Sequence, residues 1–202
     1  RALGVDSFEA LNERASQDPA WFHDALIRFL DYQFVQPYEQ VLDMSDGLPF
    51  AHWCVGGQTN VVLNCLDRRR GTASYAKPAL VWEGEDGAQS TWTFADLDRR
   101  TCELAWGLRG LGLGRGDVVG MYLPNLPHAA AAMLAVAKIG AIVLPMFSGF
   151  GADAITQRLN DGRAVALITV DGSLRRGKPV SAKPVVDDAL NPFGPWRRYE
   201  AA

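Results

Sequence analysis

The residues best suited to binding a ligand lie between Gly140 and Lys178. Gly149 and Gly151 belong to the run GFGADA, which matches the pattern GxGxxA between an apolar run and a segment with a helical pattern. Asp171 ends the next apolar run about 20 residues later, where a carboxylate can bind a ribose. The spacing is typical of a dinucleotide site. One hypothesis is therefore a NAD-dependent oxidoreductase that uses these two glycines and Asp171.

A basic segment ends the same stretch of chain. Arg175, Arg176 and Lys178 place three cations within four positions. Arginine can bind a phosphate through two parallel hydrogen bonds, and lysine acts as a point charge. Charge alone favours a solvated loop, because most short basic runs lie at the surface. A clamp for a phosphate-rich anion is the alternative.

The other motifs predict neither a catalytic residue nor a metal ligand. The four glycines at 110, 112, 114 and 116 follow a helical pattern and precede a strand pattern, which indicates a helix end and a turn. His23, His52 and His128 share no spacing that suits metal ligands. The sequence has no GxSxG or HExxH motif, and no lysine follows a glycine loop as in P-loop enzymes.

Composition narrows the class of protein. The 202 residues are 48% hydrophobic and carry a formal net charge of −3, so we expect a folded globular chain without nucleic acid or an anionic membrane as partner. No uncharged apolar run has the length that spans a bilayer, and no export signal is visible. Cys54, Cys65 and Cys102 form no CxxC pair, so a disulfide framework is not predicted. The predicted compartment is the reducing cytoplasm.

The first part of the chain predicts helices followed by a hairpin. Residues 1–76 are rich in aromatic residues and have a helical pattern, with Asp18-Pro19 as a helix start. Residues 79–94 read as two strands joined at Asp86-Gly87, a strong turn signal. Thr93 can then cap the next helix, with Asp96 three positions later.

From Asp117 the pattern predicts alternating strands and helices. Two successive βαβ units give at least three parallel strands, so the fold class is α/β: a helical arm and a β-hairpin lead into an open, mostly parallel sheet with flanking helices. We expect a helical arm at 1–76, an α/β subdomain at 77–190 and a tail or linker at 191–202. A ligand is expected beyond the carboxyl ends of the strands.

Segments spread along the chain match one known family, in order. They include NCLDR, WEGEDG with TWTFADL, GDVVGMYLPN, AMLAVAKIGAIV, FSGFGADAITQRLND and LITVDGSLRRGKPVSAK. The chain thereby resembles the N-terminal part of AMP-forming acyl-CoA synthetases of the acetyl-CoA synthetase type, which belong to the adenylate-forming superfamily. The matches run from about Trp21 to Leu190, and NCLDR followed by WEGEDG is the most specific of them.

The resemblance implies a reaction and a binding site. In this family, ATP activates a carboxylic acid such as acetate to an acyl-adenylate, and the acyl group then passes to CoA. By resemblance, Ser148 and Gly149 border the pantetheine, while Arg175 and Lys178 meet the phosphates of CoA, with Arg176 assisting. The family usually reads FGGFS at this turn, whereas this chain reads FSGFG. The GxG pattern of the dinucleotide hypothesis arises from that difference.

The resemblance also implies what this chain does not contain. It has no Ser/Thr/Gly-rich loop ending in Lys-Gly for the ATP phosphates, and no later adenine motif or catalytic lysine. We expect a fragment or truncated homologue, inactive alone, whose partners are a carboxylic acid, CoA and the remainder of the synthetase. ATP and Mg²⁺ are then cofactors of the full-length enzyme only. A stand-alone, non-catalytic module that binds CoA or a partner is the alternative.

Overall fold

The computed structural model describes residues 3–191, which form two compact units divided between Asn64 and Cys65. The first unit contains two helices, a hairpin and the start of a third helix. These are α1 (Phe8–Gln17), α2 (Pro19–Phe29), β1 (Gln40–Asp43), β2 (His52–Val55) and α3 (Val61–Cys65). The Asp18 side chain accepts a hydrogen bond from Trp21 N at 2.9 Å, and Pro19 occupies the first turn of α2. This confirms the predicted start of that helix.

The second unit carries the α/β architecture. It comprises β3 (Pro78–Glu83), β4 (Gln89–Thr93), α4 (Phe94–Gly110), β5 (Val118–Tyr122), α5 (Pro127–Lys138), β6 (Ile142–Met146), α6 (Ala152–Asp161), β7 (Ala166–Thr169), β8 (Gly172–Arg175), β9 (Lys178–Ser181) and α7 (Lys183–Leu190). The hairpin β3–β4 is confirmed. Thr93 and Asp96 form the predicted reciprocal cap at the start of α4.

Three parallel strands form the central sheet of this unit, in the order β6-β5-β7. Side chains of β5 alternate between two apolar clusters. Val119 packs with residues of α4 and α5, and Tyr122 packs with residues of α6 and α7. Helices therefore cover both faces of the sheet, which confirms the predicted α/β fold class. Each helix within residues 3–191 is too short or too polar to cross a bilayer.

A buried carboxylate on α4, that of Asp98, binds the segment that precedes β3. Both oxygens of Asp98 accept hydrogen bonds from Arg70, at 2.6 and 2.7 Å, and one also accepts from the Tyr75 hydroxyl at 2.8 Å. Asp67 in turn lies 2.7 Å from Lys138 Nζ on α5 and 3.1 Å from Arg70. Burial alone would raise the pKa of Asp98, but the hydrogen bonds from Arg70 and Tyr75 outweigh it and lower this pKa to about 2.

This pKa predicts how stability depends on pH. The folded value lies below the ordinary aspartate value of about 3.9, so the unfolded chain binds more protons between these two pH values. The ionised Asp98 therefore stabilises the fold above about pH 4, and this contribution, about 2 kcal/mol, is lost as the pH falls towards 2. In urea unfolding at successive pH values, Asp98→Asn should lose less stability over this interval than the wild type. Parallel losses would contradict the assignment.

The segment predicted as a basic loop is a β-hairpin. Strands β8 and β9 pair antiparallel, with Arg175 opposite Lys178. The two residues between them, Arg176 and Gly177, have φ angles of 54° and 72°. Positive φ at both central positions is the geometry of the type I′ turn, whose twist matches that of the flanking strands. The loop prediction was wrong because arginine at the first turn position hides the usual Asn-Gly signal.

Candidate functional site

A cavity of about 180 Å³ lies at the carboxyl ends of the parallel strands. Tyr122 ends β5, the turn at Ser148–Phe150 follows β6, and the hairpin β8–β9 follows β7. The lining residues are Tyr122, Pro124, Ser148, Gly149, Phe150, Ser173, Arg175, Val180, Ser181, Ala182 and Val185. This is the edge of the sheet where ligands bind in open α/β folds.

Tyr122 forms hydrogen bonds to the backbone of the glycine turn. Its hydroxyl lies 2.8 Å from Ser148 O and 3.0 Å from Phe150 O, so one proton is shared between the two carbonyl groups. Tyr122 as a whole residue is 4% exposed. Burial raises the pKa of Tyr122, and the charge of Arg175 offsets only part of that rise. The phenol therefore stays protonated at neutral pH and remains a donor to the turn.

Gly149 allows an arginine and an aromatic ring to approach the turn. A Cβ atom at this position would lie 2.5 Å from Phe147 Cε1 and 3.0 Å from Arg175 Nη1. Arg175 Cζ lies 5.7 Å from the centre of the Phe147 ring, within the range of a cation–π contact. The glycine turn and the basic hairpin thus meet at this point, although they are separate in sequence.

The structure brings some of the predicted site residues together. Ser148, Gly149 and Arg175 line the cavity. Arg176 and Lys178 lie on the same hairpin as exposed residues and are not among the lining residues. Ser173 and Ser181 reach the cavity from facing strands of the hairpin, and sequence reasoning missed both. No local signal marked these serines, since their position depends on the pairing of β8 with β9.

The arrangement does not match a dinucleotide site. In that fold the ribose-binding acid follows the strand next to the glycine-turn strand. Here β5 lies between β6 and β7, so the end of β7 is two strand spacings, roughly 10 Å, from the end of β6. The carbonyl oxygen of Asp171 accepts hydrogen bonds from Ala182 N and Lys183 N at the base of the hairpin. The position of Asp171 therefore argues against the NAD hypothesis.

The chemistry of the cavity suits an anionic group. One guanidinium and three serine hydroxyls among its lining residues offer hydrogen-bond donors, and the guanidinium adds a positive charge. The volume is below the 300–1,000 Å³ typical of sites that enclose a whole small molecule. The cavity can therefore hold one group of a larger ligand, with the rest outside it.

A larger concavity in the first unit has the opposite charge. It is an open groove of about 890 Å³. Its ionisable residues are Asp18, Asp24, Arg28, Asp31, Tyr32, Tyr38 and Glu39. Four carboxylates against one arginine would repel a phosphate, and Asp24 is already paired with Arg28 at 2.7 Å. The groove is therefore a poor site for an anionic ligand despite its size.

Comparison with known proteins shows two family models that match successive parts of the chain. The family model of AMP-binding enzymes matches residues 67–195, and that of the acetyl-coenzyme A synthetase N-terminus matches residues 8–65. The acetyl-coenzyme A synthetase of Deinococcus radiodurans is 44% identical over 79% of this chain and 24% of its own length. That of Thiobacillus denitrificans is 41% identical over 93% of this chain and 28% of its own length.

A solved structure gives the same result. The acetoacetyl-CoA synthetase of Streptomyces lividans superposes with a TM-score of 0.87 at 30% sequence identity, covering all of this chain and 32% of the other. The chain thus spans about a quarter to a third of the length of these relatives. It is homologous to their N-terminal region.

Proposed function

Since the chain belongs to the family of AMP-binding enzymes, we propose that it is the N-terminal part of an acyl-CoA synthetase and that it contributes a CoA-binding wall to the active site. The observation that supports this proposal is the meeting of Arg175 with the glycine turn at Gly149, above the carboxyl ends of the parallel strands. Homology to acetyl-CoA synthetases suggests acetate or another short carboxylic acid as the acyl donor.

In this proposal each site residue has a separate role. Ser148 and Gly149 border the pantetheine, because the glycine leaves the turn backbone accessible. Arg175 and Lys178 bind the phosphates of CoA from opposite strands of the hairpin, and Arg176 assists from the turn. Two guanidinium groups, each with five N–H donors, and an ammonium group on one exposed hairpin can contact phosphates that the cavity is too small to enclose.

The chain alone is proposed to lack the chemistry of adenylation. The sequence contains no Ser/Thr/Gly-rich phosphate loop ending in Lys-Gly, which in the proposed enzyme would come from the remainder of the synthetase. ATP would bind there, and Mg²⁺ together with protein groups would compensate the negative charge that develops on its phosphates. Pure 202-residue protein should therefore form no acyl-CoA from ATP, acetate and CoA, and measurable formation would contradict this proposal.

We also propose a division of the chain into three parts. The arm would cover residues 1–76 and the α/β subdomain residues 77–190, with a tail or linker at 191–202. Beyond Asn191 the tail lies outside the described residues. We further propose that the protein acts in the cytoplasm, where acyl-CoA synthesis would meet its substrates.

Titration calorimetry with CoA tests the proposed site. The wild-type chain should bind CoA more tightly than dephospho-CoA, which lacks one phosphate, and more tightly than NAD. Arg175→Ala should weaken CoA binding roughly tenfold, the lower range for a hydrogen bond to a charged group, because the arginine is partly solvated. Lys178→Ala should have a similar or smaller effect.

A matched control removes the same charge elsewhere in the second unit. Arg109 is an exposed residue of α4 and is not among the residues that line the cavity. Arg109→Ala should leave CoA affinity unchanged if the effect of Arg175 is local. Equal affinities for the wild type and Arg175→Ala would refute the site, and tighter binding of NAD than of CoA would restore the oxidoreductase hypothesis. The alternative of a stand-alone module also requires that the chain binds CoA without the rest of a synthetase.

A further inference from the structure

The basic hairpin is held at its end by a residue from a distant part of the chain. Glu85 lies in the turn between β3 and β4, and its Oε2 accepts a hydrogen bond from Gly177 N at 3.0 Å. The two residues are 92 positions apart in sequence. Gly177 belongs to the basic tip, which we define as residues Arg175–Lys178. The contact therefore links the tip of one hairpin to the tip of another.

The hairpin β3–β4 has a fixed position beside the cavity. Trp82 Nε1 donates a hydrogen bond to Asn125 O at 2.6 Å, and the Trp92 ring makes an edge contact with His128 at 5.0 Å between ring centres. Asn125 adjoins Pro124, which lines the cavity. The turn that carries Glu85 is itself closed, since Gly84 N donates to Ala88 O at 2.7 Å. Glu85 therefore lies in a turn whose position is fixed by these contacts.

The basic tip, by contrast, has little packing of its own. All four residues of β9 are exposed, and three of the four residues of β8 are exposed. An isolated two-stranded hairpin is marginally stable in water. Arg176 also adopts the left-handed region, at φ 54°, which is unfavourable for a residue with a Cβ atom. Such a turn persists when its surroundings hold it in place.

We propose that Glu85 is a positioning residue, which holds Gly177 so that Arg175 stays beside Gly149 and the basic tip keeps the shape that binds CoA. The inference rests on the proposed function of the site. It assigns a role to a carboxylate whose charge opposes that role. If only Coulomb interactions mattered, a carboxylate beside three cations would repel a phosphate and weaken its binding, so removing the carboxylate should tighten binding. The hydrogen bond predicts the opposite sign for the alanine variant.

Two substitutions of Glu85 separate these effects. Glu85→Gln keeps a carbonyl oxygen that can accept from Gly177 N but removes the charge, whereas Glu85→Ala removes both. Glu85→Ala should weaken CoA binding at least about fivefold in calorimetry, while Glu85→Gln should stay within about twofold of the wild type or bind more tightly. Glu83→Ala is the matched control, since Glu83 is an exposed carboxylate at the end of β3. It should leave affinity within about twofold of the wild type.

Hydrogen exchange of the Gly177 amide provides a readout that does not depend on CoA. In the free 202-residue chain it should exchange faster in Glu85→Ala than in the wild type or Glu83→Ala. Unchanged exchange in Glu85→Ala, or CoA binding by that variant as tight as in the wild type, would overturn the inference. If wild-type protein binds no CoA, the proposed function fails, and the exchange rates alone then decide whether Glu85 holds the hairpin.

Discussion

Arg70→Ala is expected to lower the free energy of unfolding by about 3 kcal/mol, as when one partner of a buried ion pair is removed. The side chain of Asp98 is 4% exposed, and it would lose two hydrogen bonds that now meet both of its oxygens. Tyr75 would remain as a donor to one oxygen, so a buried carboxylate would keep part of its charge unpaired. Chemical denaturation of the variant and the wild type measures the difference.

An exposed arginine on α4 provides the control for this prediction. Arg99 is 53% exposed and forms ion pairs with Asp96 at 3.3 Å and Glu103 at 3.5 Å. Arg99→Ala should cost less than about 1 kcal/mol, because exposed pairs are solvated and screened. Equal costs for the two alanine variants would show that burial of Asp98 does not make the pair with Arg70 important.

A double variant without either charge distinguishes the cost of leaving Asp98 buried and unpaired from a net stabilisation by its ion pair with Arg70. Arg70→Met combined with Asp98→Leu removes the buried charge at position 98 together with its partner, so it should recover much of the stability that Arg70→Ala loses. The pair would then act mainly by fixing the segment before β3 against α4. A double variant as unstable as Arg70→Ala would instead indicate that the ion pair itself is strongly favourable.

The parts of the fold that the sequence predicts are those with local physical causes. The first turn of a helix leaves backbone N–H groups without partners. Thr93 and Asp96, three positions apart, each accept a hydrogen bond from the backbone N–H of the other. Pro127 begins α5 because its fixed φ suits the first turn of a helix. Such signals act within a few residues, so they can be recognised without knowledge of the tertiary structure.

The features that escaped prediction depend on distant pairing. The strands β1 and β2 each have only four residues and lie within an arm that has a helical pattern. The order β6-β5-β7 places β5 in the centre, and no local pattern specifies which strands become neighbours. This order weakened the dinucleotide hypothesis, because it separates Asp171 from the glycine turn.

The candidate site shows the same division between local and distant causes. The rule that ligands bind beyond the carboxyl ends of parallel strands predicts the region of the cavity, and Ser148, Gly149 and Arg175 line it. Ser173 and Ser181 join it only because the chain reverses at Arg176 and Gly177. Their role, like that of the predicted residues, stays a prediction until binding is measured.

Gly172→Ala is expected to weaken CoA binding about a hundredfold, equal to the loss of two charged contacts of the lower strength. A Cβ atom on Gly172 would lie 2.5 Å from Val180 O and 3.3 Å from the Cα of Ser181, and both are backbone atoms of the facing strand. The first separation is too short for any real contact, so the base of the β8–β9 hairpin has to open. Arg175 and Lys178 would then move together, since they are opposite each other in that hairpin.

A second alanine variant shows whether this effect comes from the contact or from the loss of a glycine. Gly107 lies within α4, and no atom of another part of the structure lies within 4 Å of the position of its Cβ. Gly107→Ala should leave CoA affinity unchanged and raise the free energy of unfolding by about 0.5–1 kcal/mol, because alanine favours the helix. Calorimetry with CoA and amide exchange across β8 and β9 measure both variants. Wild-type affinity and unchanged exchange in Gly172→Ala would show that the hairpin tolerates the added methyl group, and its geometry would then not determine the site.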